Sequence, residues 1–204
     1  KGIMMAAVHE NGQSGHSSNP ALGNNALDGM HAVMSDLMRF RTEMAQRYGN
    51  SLFEVAYPTL NLGHIHGGDS PNRICGKTAL HFDLRMTPGG DNAEVREDIR
   101  QRLALIGQER GLEIELRSLI HDVSPFEEAQ DSELVKLAEK LTGHSAIAVA
   151  FATEAPFLQQ LGMQTIVMGP GSIDQAHQPD EFMPLDQIRP CIALLEQFIR
   201  HYCC

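Results

Sequence analysis

The sequence lacks a long apolar run. Its longest uninterrupted apolar stretch, Ala146–Ala152, has seven residues, whereas a membrane-spanning helix needs about 20. No positively charged segment leads into an apolar one in the manner of a secretory signal. We therefore expect neither a membrane span nor a secretory signal in these residues.

Basic residues and cysteines are also scarce. There are 16 Lys+Arg against 26 Asp+Glu, which gives a net charge of −10. Without a basic patch the chain lacks the electrostatic footprint of a nucleic-acid-binding protein. Four cysteines in 204 residues, two of them adjacent as Cys203 and Cys204, do not form a disulfide framework. This usage predicts reduced thiols and a cytoplasmic location.

Apolar residues recur at two spacings along residues 1–120. Alternation of apolar and polar residues predicts strands, and steps of three and four predict helices. In chain order these segments are a strand at 3–10, a helix at 25–47, strands at 59–66 and 78–85, a helix near 95–106 and a strand at 112–119. The order β-α-β-β-α-β is typical of the ferredoxin-like α+β fold, a four-stranded antiparallel sheet with two helices on one face.

A different pattern follows in residues 121–204. We expect helices after Asp131 or Ser132, at 155–161 and from about Pro190, the last burying its apolar side. The apolar runs Ala146–Ala152 and Gln164–Met168 predict two strands buried on both faces. Two strands are too few for such a sheet. Because the chain also opens at Lys1 on an apolar stretch, we expect an N-terminal portion to be absent.

Histidine is abundant, with ten residues. His64 and His66 lie two apart on a predicted strand, which suits either a metal pair or a structural role. His177 falls in a loop after a predicted strand, a place where ligands collect in α/β proteins. It can be a metal ligand or proton-transfer residue, or a loop histidine held by Asp180 or Glu181.

Arg85 lies two residues after Asp83 on a predicted strand. The pair can be a surface ion pair. Alternatively, Arg85 can bind a substrate carboxylate through two parallel hydrogen bonds. No spacing typical of a serine or cysteine nucleophile is present, since Gly12–Gly15 is one residue short of that motif.

Six motifs in chain order resemble the dizinc aminoacylase and metallopeptidase family, which includes desuccinylases, carboxypeptidases and deacetylases of amino acids. The resemblance extends over essentially the whole chain. Its motifs are 15–20 (GHSSNP), 23–26 (GNNA), 67–75 (GGDSPNRIC), 83–85 (DLR), 153–157 (TEAPF), and 169–181, which contains GPGS and AHQPDE.

The resemblance implies an organisation in two parts. Residues 1–120 would be the lid, through which the chain forms a homodimer, and residues 121–204 the C-terminal portion of an α/β zinc-hydrolase catalytic domain. His16 would be catalytic, reaching into the partner's active site to donate a hydrogen bond to the developing oxyanion. Asn72 would contact the substrate in the same way.

The remaining site residues follow from the same resemblance. Arg85, together with the backbone around Gly171 and Ser172, would hold the α-carboxylate of the substrate. Thr153 would line this pocket, and His177 would be a zinc ligand.

The implied reaction is zinc-dependent hydrolysis of N2-acetyl-L-ornithine to ornithine and acetate in arginine biosynthesis, with two zinc ions per active site and cobalt as the alternative metal. The other metal ligands and the general base of the family have no counterpart in residues 1–204. We therefore expect the chain alone to be inactive and to bind little or no zinc. A desuccinylase or another aminoacylase, and a stand-alone dimerisation or binding module, stay open as alternatives.

Overall fold

The computed structural model describes all residues, 1–204, and divides them into two compact units. The first unit comprises Lys1–Glu127 and Ala148–Ala152, and the second comprises Glu128–Ile147 and Thr153–Cys204. None of the helices is both long enough and apolar enough to cross a bilayer.

The first unit contains one antiparallel sheet and two helices. Its elements are β1 (Met4–Asn11), α1 (Ala26–Arg47), β2 (Thr59–Gly67), β3 (Lys77–Arg85), α2 (Asn92–Arg110) and β4 (Glu113–Ser118). The strand order is β2-β3-β1-β4, and every neighbouring pair is antiparallel. The predicted ferredoxin-like α+β fold is confirmed.

One apolar core joins the sheet to both helices. Leu80, Phe82 and Leu84 alternate along β3 and are buried. They share a core with the side of α1 that carries Met30 and Leu37, and with Ile99 and other residues of α2. Because successive strand side chains point to opposite faces, both helices cover the same face of the sheet.

Local side-chain and glycine signals define the ends of α1 and α2. The side chain of Asn25 accepts a hydrogen bond from the Leu27 amide at the start of α1, and Asp91 does the same for Ala93 in α2. Gly111 ends α2 with a left-handed φ of 63°, a conformation that glycine adopts without strain.

The second unit contains three α-helices and no strand. These are α3 (Glu133–Thr142), α4 (Ala155–Gln160) and α5 (Ile188–Cys203), with short 3-10 helices at Ile173–Gln175 and Leu185–Gln187. The predicted strands at Ala146–Ala152, most of which belongs to the first unit, and at Gln164–Met168 are wrong, because both segments lack strand pairing. A doubly buried strand needs neighbours to satisfy its backbone, and this part of the chain supplies none.

The prediction that α5 buries its apolar side is also wrong. None of its residues is buried, and Ile192, Leu195 and Ile199 are all exposed. An apolar stripe stabilises a helix when another element covers it. No such cover is formed for α5 within residues 1–204.

Glu10 is a carboxyl group enclosed in the core of the first unit. It is 1% exposed, continues the inward alternation of β1, and accepts a hydrogen bond of 3.4 Å from the Thr78 hydroxyl. Its Oε1 atom has no hydrogen-bond partner, and it lies against Gly29, where a Cβ would collide with it. Burial raises the pKa of Glu10 from its usual 4.5 to about 7.

This raised pKa predicts that the first unit loses stability as pH rises from 4.5 to 7. In that window the unfolded chain ionises Glu10 while the folded chain keeps it protonated, so the free energy of unfolding falls by up to about 3 kcal/mol. We expect Glu10→Gln to flatten this slope in urea unfolding followed by circular dichroism. Glu113→Gln, at an exposed site on β4, is the control. Equal slopes in wild type and Glu10→Gln would show the prediction to be wrong.

Candidate functional site

The loops that carry His16 and Asn72 lie side by side in the first unit. His16 follows the end of β1, and Asn72 precedes the start of β3. The amide of Ser17 donates to the Asn72 carbonyl at 3.1 Å, and the amide of Ile74 donates to the Gly15 carbonyl at 2.8 Å. The structure therefore brings these two predicted site residues together at one end of the sheet, which we call the loop end.

The His16 ring is exposed but held by its own turn. Its Nδ1 atom is 2.7 Å from the Ser18 hydroxyl oxygen, and the backbone amide of Ser18 donates to the same nitrogen at 3.2 Å. The Nε2 atom makes no hydrogen bond within the chain. This nitrogen is consequently available to a group outside the chain.

Asn72 is oriented by a neighbouring hydroxyl. The Ser70 hydroxyl donates to the Asn72 side-chain oxygen at 2.6 Å, which leaves the two N–H groups of the amide free to donate elsewhere. An ion pair of 2.5 Å between Arg73 and Asp69 spans the same turn.

Arg85 lies at the opposite end of the sheet. Lys77, the first residue of β3, pairs with Asn11 at the loop end, and Arg85 is the last residue of β3. Eight residue steps of about 3.4 Å separate the two ends by roughly 27 Å. His16 and Arg85 of one lid are therefore not neighbours.

The predicted ion pair of Arg85 with Asp83 is present. The guanidinium Nε of Arg85 donates to Asp83 Oδ2 at 2.8 Å, and both side chains are partly exposed. The two terminal nitrogens make no other hydrogen bond in the chain. They keep the fork geometry that suits a carboxylate, so the ion pair and the binding role are compatible.

In the second unit, the predicted substrate-pocket residues take part in local hydrogen bonds. The Gly171 amide donates to the side-chain oxygen of Gln187 at 2.7 Å. The Ser172 hydroxyl accepts from the Asp174 amide at 3.3 Å, and the Thr153 hydroxyl accepts from the Ala155 amide at 3.2 Å. The Gly171 amide is thus already satisfied within the chain.

The histidines do not assemble a metal site. His177 is exposed, has a left-handed φ of 64°, and its amide donates to Glu181 at 3.2 Å. The ring of His64 contacts that of His81, with centroids 4.8 Å apart. No three His, Cys, Asp or Glu side chains are grouped to hold one ion. Catalytic zinc usually has three protein ligands, so residues 1–204 do not fit a zinc centre by themselves.

Two hydrogen-bond partners of the predicted site residues, Ser18 and Gln187, were not singled out from the sequence. Ser18 could have been found, because a hydroxyl two residues after a polar side chain is a common turn arrangement. Gln187 had no signal, since it lies 16 residues from the Gly171 amide that it binds.

Comparison with known proteins assigns this architecture to a class. The family model described as the peptidase dimerisation domain matches residues 1–110. The chain belongs to the peptidase family that carries this domain, which confirms the predicted family. The motifs at 61–75, 153–157 and 169–181 predict that the particular member is acetylornithine deacetylase.

Curated relatives bear that name. The chain is 44% identical over 203 residues to acetylornithine deacetylase of Edwardsiella ictaluri, covering 100% of this chain and 53% of that protein. The corresponding protein of Pectobacterium carotovorum is 43% identical over 203 residues, again covering 100% of this chain and 53% of the relative. The chain spans about half the length of the curated relatives it matches.

Solved structures show the same fold at low identity. A tripeptidase from Staphylococcus aureus superposes with a TM-score of 0.69 at 18% identity, over 98% of this chain and 51% of that one. An aminopeptidase from Bacillus cereus gives a TM-score of 0.63 at 17% identity, over 95% of this chain and 50% of that one.

The incomplete ligand set predicts that residues 1–204 retain no stoichiometric zinc. After incubation with zinc and gel filtration, metal analysis is expected to give the same low content for wild type and His177→Ala, because a single imidazole cannot hold the ion. One equivalent of zinc that disappears in His177→Ala would contradict this expectation.

Proposed function

We propose that this chain provides the lid and the C-terminal portion of the catalytic domain of a zinc-dependent amidohydrolase, an acetylornithine deacetylase. Its reaction would be hydrolysis of N2-acetyl-L-ornithine to ornithine and acetate in arginine biosynthesis. The observation that carries the proposal is 42–44% identity over 203 residues to proteins of that name. The matched region covers the whole of this chain.

Each part of the chain would have a separate task. Residues 1–120 would form the lid and the dimer contact, and residues 121–204 would complete the catalytic domain. Zinc ions of this class would take His177 as one ligand and need further ligands from outside residues 1–204. All four cysteines are free thiols, which supports a reducing, cytoplasmic setting.

The lid residues would act on the substrate directly. The Nε2–H group of His16 would donate to the oxygen on which negative charge develops as the amide is attacked. The Asn72 amide, held by Ser70, would add a donor beside it. The free guanidinium nitrogens of Arg85 would bind the α-carboxylate, with Thr153, Gly171 and Ser172 around it.

The length of the sheet supports a site shared between two subunits. Roughly 27 Å of strand separates the loop end from Arg85, far more than the length of an acyl amino acid. One lid cannot place His16 and Arg85 on the same small substrate. We infer that Arg85 serves its own subunit while His16 and Asn72 serve the partner's active site.

The two edges of the sheet differ in a way that favours dimerisation through β2. The outer strand β4 carries Glu113, Glu115 and Arg117, and charged side chains protect an edge from pairing. Strand β2 has no Lys, Arg, Asp or Glu, and its second half is exposed from Gly63 to His66. Its backbone is therefore the edge left open to a second copy.

The flank of α1 extends this surface. Leu27 and Met38 are exposed on α1, and Arg41 of the same flank donates to the Leu60 carbonyl of β2 at 3.4 Å. Together, Gly63–His66, Leu27 and Met38 form a surface that we call the β2 edge surface. It combines an unpaired strand with apolar side chains, as a strand-paired dimer requires.

A charge at the centre of the β2 edge surface should separate the dimer. Ile65 is 48% exposed, and Ile65→Lys would place two like charges across the two-fold axis. We expect dimer affinity to fall about 100-fold or more, measured by analytical ultracentrifugation. Leu105→Lys, at a 60% exposed position on α2, is the matched control and should leave the dimer intact. Equal dissociation of both variants would show that β2 does not form the dimer interface.

Exposed apolar side chains in the second unit support its assignment as part of a larger domain. Ile147, Leu161 and Leu185 are among the most exposed apolar residues, in addition to the uncovered side of α5. Exposed apolar area of this extent marks an interaction surface. We propose that it is covered by the sequence that the relatives have beyond the matched half.

A chimera tests the proposed activity. The part of the Edwardsiella ictaluri enzyme outside the matched region is joined to this chain, and acetate release from N2-acetyl-L-ornithine is measured. We expect activity, with N2-succinyl-ornithine and other acyl amino acids hydrolysed more slowly. A chimera that folds and dimerises but has no deacetylase activity would contradict the proposed reaction and favour the alternative, in which this chain is a dimerisation module.

Two substitutions in the chimera should affect different kinetic constants. Arg85→Ala removes charge-assisted hydrogen bonds to the bound substrate and should raise KM about 10- to 100-fold. His16→Ala removes an oxyanion donor and should lower kcat about 100- to 1,000-fold. Arg117→Ala, on the β4 edge, is the control for loss of a surface arginine.

Mixing the two impaired variants, with activity measured at substrate concentrations well below the KM of Arg85→Ala, tests the shared site. If His16 and Arg85 of one chain serve different active sites, each mixed dimer has one site with both residues intact. Equal mixing with subunit exchange then restores about a quarter of wild-type activity, since half of the dimers are mixed and each has one intact site of two. No restoration despite exchange would mean that both residues act at the same site of one subunit.

A further inference from the structure

The turn after β1 holds Ser18 against the imidazole of His16. The amide of Asn19 donates to the His16 carbonyl at 3.1 Å, which closes residues 16–19 into a turn. This turn presents both the amide and the hydroxyl of Ser18 to one ring nitrogen, Nδ1. The opposite ring nitrogen, Nε2, is left without a partner in the chain.

We propose that Ser18 is a positioning residue that keeps neutral His16 in the tautomer with its proton on Nε2. A backbone N–H is only a donor, so the nitrogen that it binds must offer a lone pair. At 3.2 Å, the amide of Ser18 therefore requires an unprotonated Nδ1. In neutral imidazole the single proton then resides on Nε2.

The hydroxyl of Ser18 reinforces the same tautomer. At 2.7 Å from Nδ1, it can donate its proton to the lone pair alongside the amide. The other tautomer would direct the Nδ1 proton toward the Ser18 amide proton, and the amide would lose its acceptor. Because a hydroxyl can donate or accept, the amide of Ser18 selects the tautomer, and the hydroxyl strengthens it by donating to the same nitrogen.

The chemical consequence is that His16 offers a donor to the exterior of the lid. With the proton on Nε2, the exposed nitrogen can donate to a carbonyl oxygen that gains negative charge. With the proton on Nδ1, it could only accept, and it would repel that oxygen. This consequence rests on the proposed function, whereas the tautomer itself is a property of the chain alone.

The test measures the tautomer directly. In the 15N-labelled chain above the titration range of histidine, long-range 1H–15N correlation spectra distinguish a protonated from an unprotonated ring nitrogen. His16→Gln identifies the His16 signals by their loss. We expect wild-type His16 to show a protonated Nε2 and an unprotonated Nδ1. A protonated Nδ1 in the wild type would overturn the proposal.

Three variants separate the role of Ser18 from a general effect on the loop. Ser18→Ala removes the hydroxyl donor and should lower the ratio of the Nε2–H to the Nδ1–H tautomer about two- to tenfold, the effect of one hydrogen bond. Ser18→Thr keeps a hydroxyl and should retain the wild-type ratio. Ser17→Ala is the matched control, because it lies in the same turn and keeps the hydrogen bond from its backbone amide to the Asn72 carbonyl. An unchanged ratio in Ser18→Ala would overturn the part assigned to the hydroxyl.

Kinetics in the chimera distinguish this proposal from the proposed function. Ser18→Ala should lower kcat about two- to tenfold with little change in KM, because the donor acts on charge that develops only in the transition state. Ser18→Thr should restore kcat. A shifted tautomer ratio with an unchanged kcat would contradict the oxyanion role of His16, while the assignment of the tautomer to Ser18 would stand on the spectra.

Discussion

The antiparallel pairing of β1 with β3 is the constraint on which the rest of the first unit depends. Its register joins Asn11 to Lys77 and Met4 to Leu84, so the loops that leave β1 and enter β3 must meet at one end. The same register sends Arg85 to the other end and directs Leu80, Phe82 and Leu84 into the core. If β3 slipped by one residue against β1, its side chains would turn to the opposite faces of the sheet and its core residues would be exposed. The loops carrying His16 and Asn72 would also shift against each other by about 3.4 Å.

The two edges of that sheet have different consequences for assembly. Edge strand β4 has only six residues and carries a close ion pair between Arg117 and Glu115. These charges disfavour pairing with another strand at that edge. Edge β2 is nine residues long and uncharged, with a register irregularity between Leu62 and His64. The sheet can therefore grow on one side only. Under the proposed function, limited growth of this kind would yield a closed pair of subunits instead of a fibre.

The sequence was sufficient where structure depends on near neighbours and insufficient where it depends on distant ones. Alternation on β3 and the helical spacing of α1 are local signals, and the predicted elements match those observed. The inward alternation of β1 also reaches Glu10, so its burial was open to prediction. The strand prediction at Ala146–Ala152 was wrong because strand pairing needs partners that these residues lack. The hydrogen bond from the Gly171 amide to the Gln187 side chain likewise joins two segments 16 residues apart, and no sequence pattern links them.

A site divided between opposite ends of a lid would couple catalysis to association. Under the proposed function, a monomer presents Arg85 to its own substrate but has no His16 within reach. Its transition state would therefore lack the oxyanion hydrogen bond from His16, which contributes little to binding of the ground state. Substrate affinity and turnover would then depend on subunit concentration in different ways, since only turnover needs the partner. The Ser18 turn fits this division. Under the proposed function, the His16 ring acts in the active site of the partner subunit. If Ser18 fixes its tautomer beforehand, the partner's active site does not have to select the protonation state of the ring.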